Sequence, residues 1–301
     1  MCSVPKERII IDTDIGDDID DALAVAFALN SEEIDVAGIT TVYKNTAARA
    51  ELAKKLLMLY GRESIPVYAG CPQPLINRIN PDEIPCQFSN DMKNIAINSD
   101  KDAVDFIIGS VLDSSGDITL VPIGPLTNIA VAICKRTEIK DKIKRIILMG
   151  GAYYFHYNEW NIACDPEAAR IVFESGIPIK VVGLDVTLDC KLTKEDMNRI
   201  YSHRTGAPAF LSELVVRWQQ KGNYFPILHD PLAVYAVFDR EILAFKNESI
   251  AIETKGEFTR GTTFNRTDTR RGNNRDPVSG ISVACSVDSR RFIDLFIERV
   301  F

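Results

Sequence analysis

Arg8-Ile9-Ile10-Ile11-Asp12-Thr13-Asp14-Ile15-Gly16-Asp17-Asp18-Ile19-Asp20-Asp21-Ala22 runs from an apolar, β-type segment straight into six aspartates within ten residues. Unpaired carboxylates repel one another and raise each other's pKa. A fold that gathers them at the end of a buried strand is expected to supply a cation. All-oxygen ligation selects a hard ion, calcium or magnesium, over zinc or copper. A solvated acidic loop is the competing reading of any acidic run. The position favours the metal, because open α/β sheets bind ligands beyond the carboxyl ends of their strands.

Outward from this point, strand and helix patterns alternate as a parallel sheet requires. Glu7 to Asp12 reads as a strand, Asp21 to Asn30 as a helix with an acidic first turn, Asp35 to Val42 as a strand and Thr46 to Tyr60 as a helix. Ile65 to Ala69 is a short strand, and residues 70 to 100, rich in Pro, Asn and Asp, read as a long loop. Lys101 to Leu112 reads as helix, Asp117 to Ile123 as a buried strand, and Pro125 to Lys135 as a helix with proline at its first position. Lys144 to Met149 and Ile177 to Gly183 are strands around a helix from Pro166 to Glu174. Beyond Thr193 the pattern turns helical, and from Ile250 it holds strand-like pieces and a final helix. The basic stretch with Arg260, Arg266, Arg270, Arg271 and Arg275 reads as a solvated hairpin tip. The expected fold is α/β: one doubly wound, mostly parallel, Rossmann-like sheet with helical additions, as a single domain over residues 1–301.

Composition narrows the function. A net charge of -7 argues against nucleic acid or an anionic membrane as partner, and 46% hydrophobic residues suffice for a large core. Seven scattered cysteines without a C-x-x-C pair suggest neither a zinc site nor a disulfide framework. The first residues lack the apolar core of a secretion signal, and no stretch approaches the ~18 apolar residues of a membrane span. A cytoplasmic protein with free thiols is expected.

Four segments sit at a strand end or lead into a helix. They are the acidic opening, Val121-Pro122-Ile123-Gly124-Pro125-Leu126-Thr127-Asn128, Glu159-Trp160-Asn161-Ile162-Ala163-Cys164-Asp165-Pro166-Glu167, and His229-Asp230-Pro231. Such ends converge on one rim of an open sheet. In this order the four resemble the inosine-uridine-preferring nucleoside hydrolase family, and the likeness runs from Ile10 to the Thr259-Arg260-Gly261 stretch.

The resemblance implies N-ribohydrolase activity, in which water cleaves the N-glycosidic bond and releases ribose and a purine or pyrimidine. It implies one calcium ion held by Asp14, Asp21, the Ile123 carbonyl and Asp230, with Asp14 also the base that deprotonates the attacking water. Asp20 and Asn45 would face the ribose diol, Glu159 and Asn161 the ribose and its 5′ hydroxyl, and His229 the leaving base. Relatives are commonly homodimers or homotetramers. The physics of the reaction agrees: carboxylates favour an oxocarbenium-like transition state, and a poor leaving group needs a proton donor. Of the three histidines, His229 leads because it adjoins Asp230; His203 lacks such context, and His156 stays undecided. Thr127 and Asn128 read as helix-starting residues, Asp165 equally as helix cap or partner of the site, and Asp17 and Asp18 as loop residues.

The chain departs from the family pattern in three places. The acidic opening carries two residues more than the shortest family form before its final Asp pair, the loop at 77–92 lacks a His-Gly…Gly-Leu pattern, and the segment 151–159 is short. The last two cover the base side of the pocket in relatives. Two rivals compete. Asp12-x-Asp14 after an apolar strand suits a haloacid-dehalogenase-like phosphatase, although Gly16 stands where that family expects threonine. A non-catalytic, calcium-dependent nucleoside-binding protein would keep every ligand. An EF-hand is disfavoured by the glycine at the fifth place rather than the sixth.

Overall fold

A computed structural model describes residues 6–203, 205–222, 225–266 and 281–301. Tyr224 and the arginines at 270, 271 and 275 lie outside the described residues. The strands are β1 (Glu7–Thr13), β2 (Ile34–Thr41), β3 (Val67–Ala69), β4 (Ile118–Pro122), β5 (Arg145–Met149), β6 (Ile179–Val182), β7 (Leu243–Asn247), β8 (Ile250–Ile252), β9 (Thr263–Asn265) and β10 (Ile281–Val287). The helices are α1 (Asp20–Leu29), α2 (Thr46–Leu59), α3 (Ala103–Asp113), α4 (Thr127–Lys135), α5 (Trp160–Cys164), α6 (Pro166–Phe173), α7 (Leu184–Thr187), α8 (Lys194–Tyr201), α9 (Gly206–Gln219), α10 (His229–Tyr235) and α11 (Ser289–Val300).

Eight strands form one sheet in the order β3-β2-β1-β4-β5-β6-β10-β7, and β8 pairs with β9 in a separate ribbon. Every pairing in the large sheet is parallel except that of β10 with the edge strand β7. The chain therefore winds outward from β1 to β3, then returns to β4 on the other side. The reversal between β1 and β4 is the crevice where such sheets bind ligands.

The isoleucine run explains why β1 is central. Ile9 and Ile11 join Leu23, Phe27, Leu232, Phe292 and Phe296 in the core on one face, while Ile10 joins Ile107, Ile129 and Val172 on the other. Alternating side chains of a covered strand must do this. Helix α1 is buried along nearly its whole length, including both aspartates of its first turn. Its apolar side chains fix it under β1 and so fix where Asp20 and Asp21 stand.

Most elements lie within a few residues of the expected bounds. The exceptions have physical reasons. The edge strand β7 alternates poorly and pairs antiparallel with β10, a long-range partner. Helix α4 begins at Thr127, with Leu126 as its cap, so Pro125 precedes the helix rather than opening it. Arg260 is no solvated tip residue: it pairs with Glu167 on α6, Nη2 to Oε2 at 2.8 Å, and donates to the Thr254 carbonyl at 2.9 Å.

Candidate active site

At the end of β1 the chain needs close approach. The Thr13 hydroxyl donates to Asp21 and accepts from the Ile15 amide at 3.0 Å, which folds the acidic loop back over α1. A Cβ on Gly124, just past β4, would stand 2.7 Å from Asp14 Oδ1. Glycine there lets the Asp14 carboxylate lie against the end of β4. Asp12 faces inward instead: its Oδ1 accepts from the Thr40 hydroxyl at 2.6 Å and Asn128 Nδ2 at 2.7 Å, while Oδ2 is buried without a partner. Burial pushes its carboxyl up to about 7 against those hydrogen bonds, so a proton resides there readily.

Asp20, Asp21 and Asp230 bring one carboxylate oxygen each to within 4.8 Å of one another, and all three are buried. Burial, then the neighbouring carboxylates, push each carboxyl well above its ordinary value. Asp14 lines the same cavity; burial lifts its carboxyl to about 6 against the pull of Arg49. A buried, all-oxygen, mutually repelling donor set fits a hard divalent cation. The grouping differs from the expected one in a single respect: Asp20, expected to face the ribose, stands inside the tight trio, and Asp14 stands beside it.

The surrounding cavity measures ≈ 510 Å³, within the ~300–1,000 Å³ of small-molecule sites. Asp14, Asp20, Asp21, Ile123, Glu159, Asn161, His229 and Asp230 all line it, together with Asp17, Asp18 and the aromatic Tyr157, Trp160 and Trp218. No lysine or arginine does so among the described residues. The Glu159 carboxylate caps α5, accepting from the Asn161, Ile162 and Gly151 amides at 2.8, 3.1 and 2.9 Å. Asn161 Nδ2 donates to the Ile123 and Met149 carbonyls at 3.0 and 3.2 Å. Both amide protons are thereby used, which leaves Oδ1 to accept from a ligand hydroxyl. His229 Nδ1 lies 2.7 Å from the Thr187 hydroxyl, and burial holds its pKa down at about 4. It is an uncharged imidazole at neutral pH.

Asn45 is placed apart from this group. Its Oδ1 accepts from the Ala48 amide at 3.0 Å and caps α2, a role asparagine fills well, and it does not line the cavity. His156 and His203 pack against Phe264 and Phe301, and neither lines the cavity. Thr127 and Asn128 do more than start a helix: Thr127 donates to Asp165 Oδ2 at 2.7 Å, and Asn128 links Asp12 to the Thr41 carbonyl. Asp165 caps α6, its Oδ1 accepting from the Ala168 amide at 3.1 Å, and its Oδ2 also accepts from the Leu75 amide at 2.9 Å; none of its partners lines the cavity. Sequence reasoning missed Arg49, a fully buried guanidinium beneath the acidic loop. Its signal was present: Arg49, Leu52, Ala53 and Leu56 follow the i, i+3, i+4, i+7 spacing of a buried helix face.

Known proteins resemble this chain over most of its length. Residues 9–294 match the family model described as inosine-uridine preferring nucleoside hydrolase. The chain is 32% identical over 303 residues to uridine nucleosidase 1 of Arabidopsis thaliana, covering 94% of this chain and 89% of that protein. It is 41% identical over 216 residues to the pyrimidine-specific ribonucleoside hydrolase RihB of Escherichia coli O1:K1, covering 68% of this chain and 67% of that protein. Among solved structures, a plant nucleoside hydrolase superposes with a TM-score of 0.85 at 31% identity, over 98% of this chain and 99% of that one. The purine-preferring ribonucleoside hydrolase of Gardnerella vaginalis superposes with a TM-score of 0.83 at 35% identity, over 97% and 98%. No helix among the described residues is long and apolar enough to cross a membrane.

Proposed function

The chain belongs to the inosine-uridine preferring nucleoside hydrolase family and is a ribonucleoside hydrolase, and from that premise we propose that the acidic cavity is its active site and works with calcium. The observation that carries this is the trio Asp20, Asp21 and Asp230, buried together at the switch point of the sheet. The carboxylates of Asp14, Asp21 and Asp230 and the Ile123 carbonyl would hold the ion, with Asp20 close enough to join them. When bound, a divalent ion there lowers the pKa of water and offers oxygen-binding positions to the ribose diol.

The residues of the chain do the rest. Asp14 takes the proton of the water that adds to the anomeric carbon, as the C–N bond to the base breaks. The surrounding carboxylates favour the positive charge that develops on the sugar. Asn161 Oδ1 and Glu159 receive ribose hydroxyls, which fixes the reacting carbon near Asp14. His229 faces the departing base. In the tautomer whose Nδ1 accepts from the Thr187 hydroxyl, the proton sits on Nε2, where it donates a hydrogen bond without the ring being cationic.

The absence of lysine and arginine from the described lining favours nucleosides over nucleotides, since nothing there would pair with a 5′-phosphate. The same fact weighs against a phosphatase. We further propose a homodimer or homotetramer, on the resemblance alone, acting in the cytoplasm, on the composition alone; the site's construction from segments between β1 and α10 supports one domain over 1–301. The test is a panel of uridine, cytidine, inosine, adenosine and guanosine, with calcium or with chelator, read by chromatography of released base and ribose. Calcium-dependent release is expected; intact nucleosides at every condition would leave only the non-catalytic binding reading.

A further inference from the structure

Five consecutive backbone carbonyls, from Asp14 to Asp18, each accept from a donor outside the acidic loop. Arg49 Nη1 donates to the Asp14 carbonyl and, at 2.9 Å, to that of Ile15. The Gln87 amide donates to Gly16 at 2.9 Å, and Gln87 Nε2 donates to Asp18. The Cys86 thiol lies 3.6 and 3.4 Å from the Gly16 and Asp17 carbonyls. Asp14, Asp17 and Asp18 are meanwhile among the residues that line the cavity.

The two principal donors are built for this. Arg49 and Gln87 are both fully buried. Withdrawing a guanidinium from water costs several kcal/mol, and apolar packing at this helix position needs no charge. Four of the fork's five N–H donors are engaged: Nε also holds the Tyr43 carbonyl at 2.8 Å and Nη2 holds Asp17 Oδ2 at 2.8 Å. Tyr43 and its neighbour Lys44 have φ of 67° and 59°, a left-handed backbone that non-glycine residues keep only when surrounding contacts enforce it. Gln87 is itself held, since its carbonyl accepts from Arg217 Nη1 at 2.9 Å. Gly16, at φ 120°, admits the segment: a Cβ there would lie 2.6 Å from Pro85 Cβ.

We propose that Arg49 and Gln87 are positioning residues for the hydrolysis, a clamp that fixes the carbonyls of Asp14 to Asp18 so that the loop's carboxylates meet ion and substrate in one arrangement. The clamp rests on the reading of the cavity as the hydrolytic site. It also explains how an acidic loop with two residues to spare keeps a defined course.

The test uses the full chain with Arg49→Lys, which keeps the charge and loses the fork, and Gln87→Met, which keeps the bulk and loses the donors of the side chain. Three quantities are read at a temperature where the variant is folded by circular dichroism: kcat, KM for the best nucleoside, and the calcium dissociation constant by equilibrium dialysis. Loss of such supporting contacts typically costs about 10–100-fold in metal affinity or activity. A loss of that size in kcat or calcium affinity is expected, with KM moving less than kcat. Folded variants with wild-type kcat and calcium affinity would overturn the clamp. If Arg49→Lys does not fold, Gln87→Met decides alone. A wild-type protein that releases no base overturns the reading of the site instead, and the variants' calcium affinity still decides the clamp.

Discussion

Chelating divalent ions should give this protein a stability that falls as pH rises through neutrality. Asp20, Asp21 and Asp230 all have carboxyl pKa values raised well above 3.8, first by burial and then by one another. A carboxyl raised in the fold stabilises it while protonated, and that contribution is lost as pH rises towards the folded value, because the unfolded chain has already ionised. One such group, protonated when folded and ionised when unfolded, gives a slope of about 1.4 kcal/mol per pH unit. Asp14, at about 6, is largely ionised by pH 6.5 and adds little above it. His229 acts in the opposite sense: held at about 4, it destabilises the fold only as pH drops below the ordinary 6.5. The buried thiols of Cys71, Cys164 and Cys190, raised to about 11 or 12, come into play only where free thiols ionise, near 8.5 and above. Asp12, raised to about 7, titrates within the window from about pH 6.5 to 8 and lowers stability with the same sign as the trio, so the fall across it sums these buried carboxyls.

Urea unfolding at three pH values in that window, with excess EGTA or excess calcium, reads this directly. In EGTA, stability should fall as pH rises towards 8. In calcium at about a hundred times its dissociation constant, the ion should add about 2.7 kcal/mol, and the pH dependence should flatten because the ion replaces the protons. Asp21→Asn should shrink the slope in EGTA. A chelated protein whose stability is flat or rises over the window, or one that calcium does not stabilise, would refute the argument that these carboxylates await a cation.

Asp14→Asn should lower kcat by roughly 10²-fold or more, the scale of a lost general base, and an unchanged kcat in the folded variant would move that role elsewhere. His229→Ala should slow uridine or inosine about 10²-fold more than p-nitrophenyl riboside, whose phenolate leaves unaided; equal losses on both would make His229 a positioning group. Glu33→Gln should cost about 1–2 kcal/mol at neutral pH, allowing for partial solvent screening. There Glu33 accepts from Arg299 Nη1 and Nη2 at 2.8 and 2.9 Å and ties α11 to the start of β2. Burial raises its carboxyl, but the Arg299 and Arg240 guanidinium groups win and hold it below its ordinary value, so the cost should shrink as pH falls towards that depressed value. Urea titrations of both proteins from neutral to acid pH would measure it.

The fold was legible because its central strand is written twice, as a run of isoleucines and as the aspartates that follow it. Three apolar side chains in succession have no exposed face, so the strand had to be covered on both sides, and the aspartates marked which end faced ligand. The edge strand β7 carried no such mark, because half of its residues face water and its partner β10 lies more than thirty positions away. Element bounds slipped where a cap was decided by its neighbours, as at Pro125 and Leu126.

The site was legible in its carboxylates and less so in its supports, for a physical reason. A carboxylate cluster is unusual enough to announce itself, whereas a supporting residue looks like ordinary structure until its partners are known. Asn45 has the composition of a diol ligand and the position of a helix cap, and the cap is what its Oδ1 makes. Asn128 does stand in the first turn of α4, but its side chain also spans β1 and β2, 116 residues from the Asp12 carboxylate it holds. Arg49 stands in the clearest case. A charge at the i position of an apolar helix face contradicts the pattern around it, and such contradictions mark places where polar chemistry outweighs burial. The segments on the base side offer no comparable contradiction. Tyr157, Trp160 and Trp218 line the cavity with flat apolar surface that suits purine and pyrimidine alike, and relatives of similar likeness are named for opposite preferences. Of the two segments that depart from the family pattern, 151–159 reaches the cavity through Tyr157, Asn158 and Glu159, while none of 77–92 is among its lining residues. Carboxylates and an amide thus mark a place for a sugar in the sequence, whereas flat aromatic walls mark only that a base can stack there.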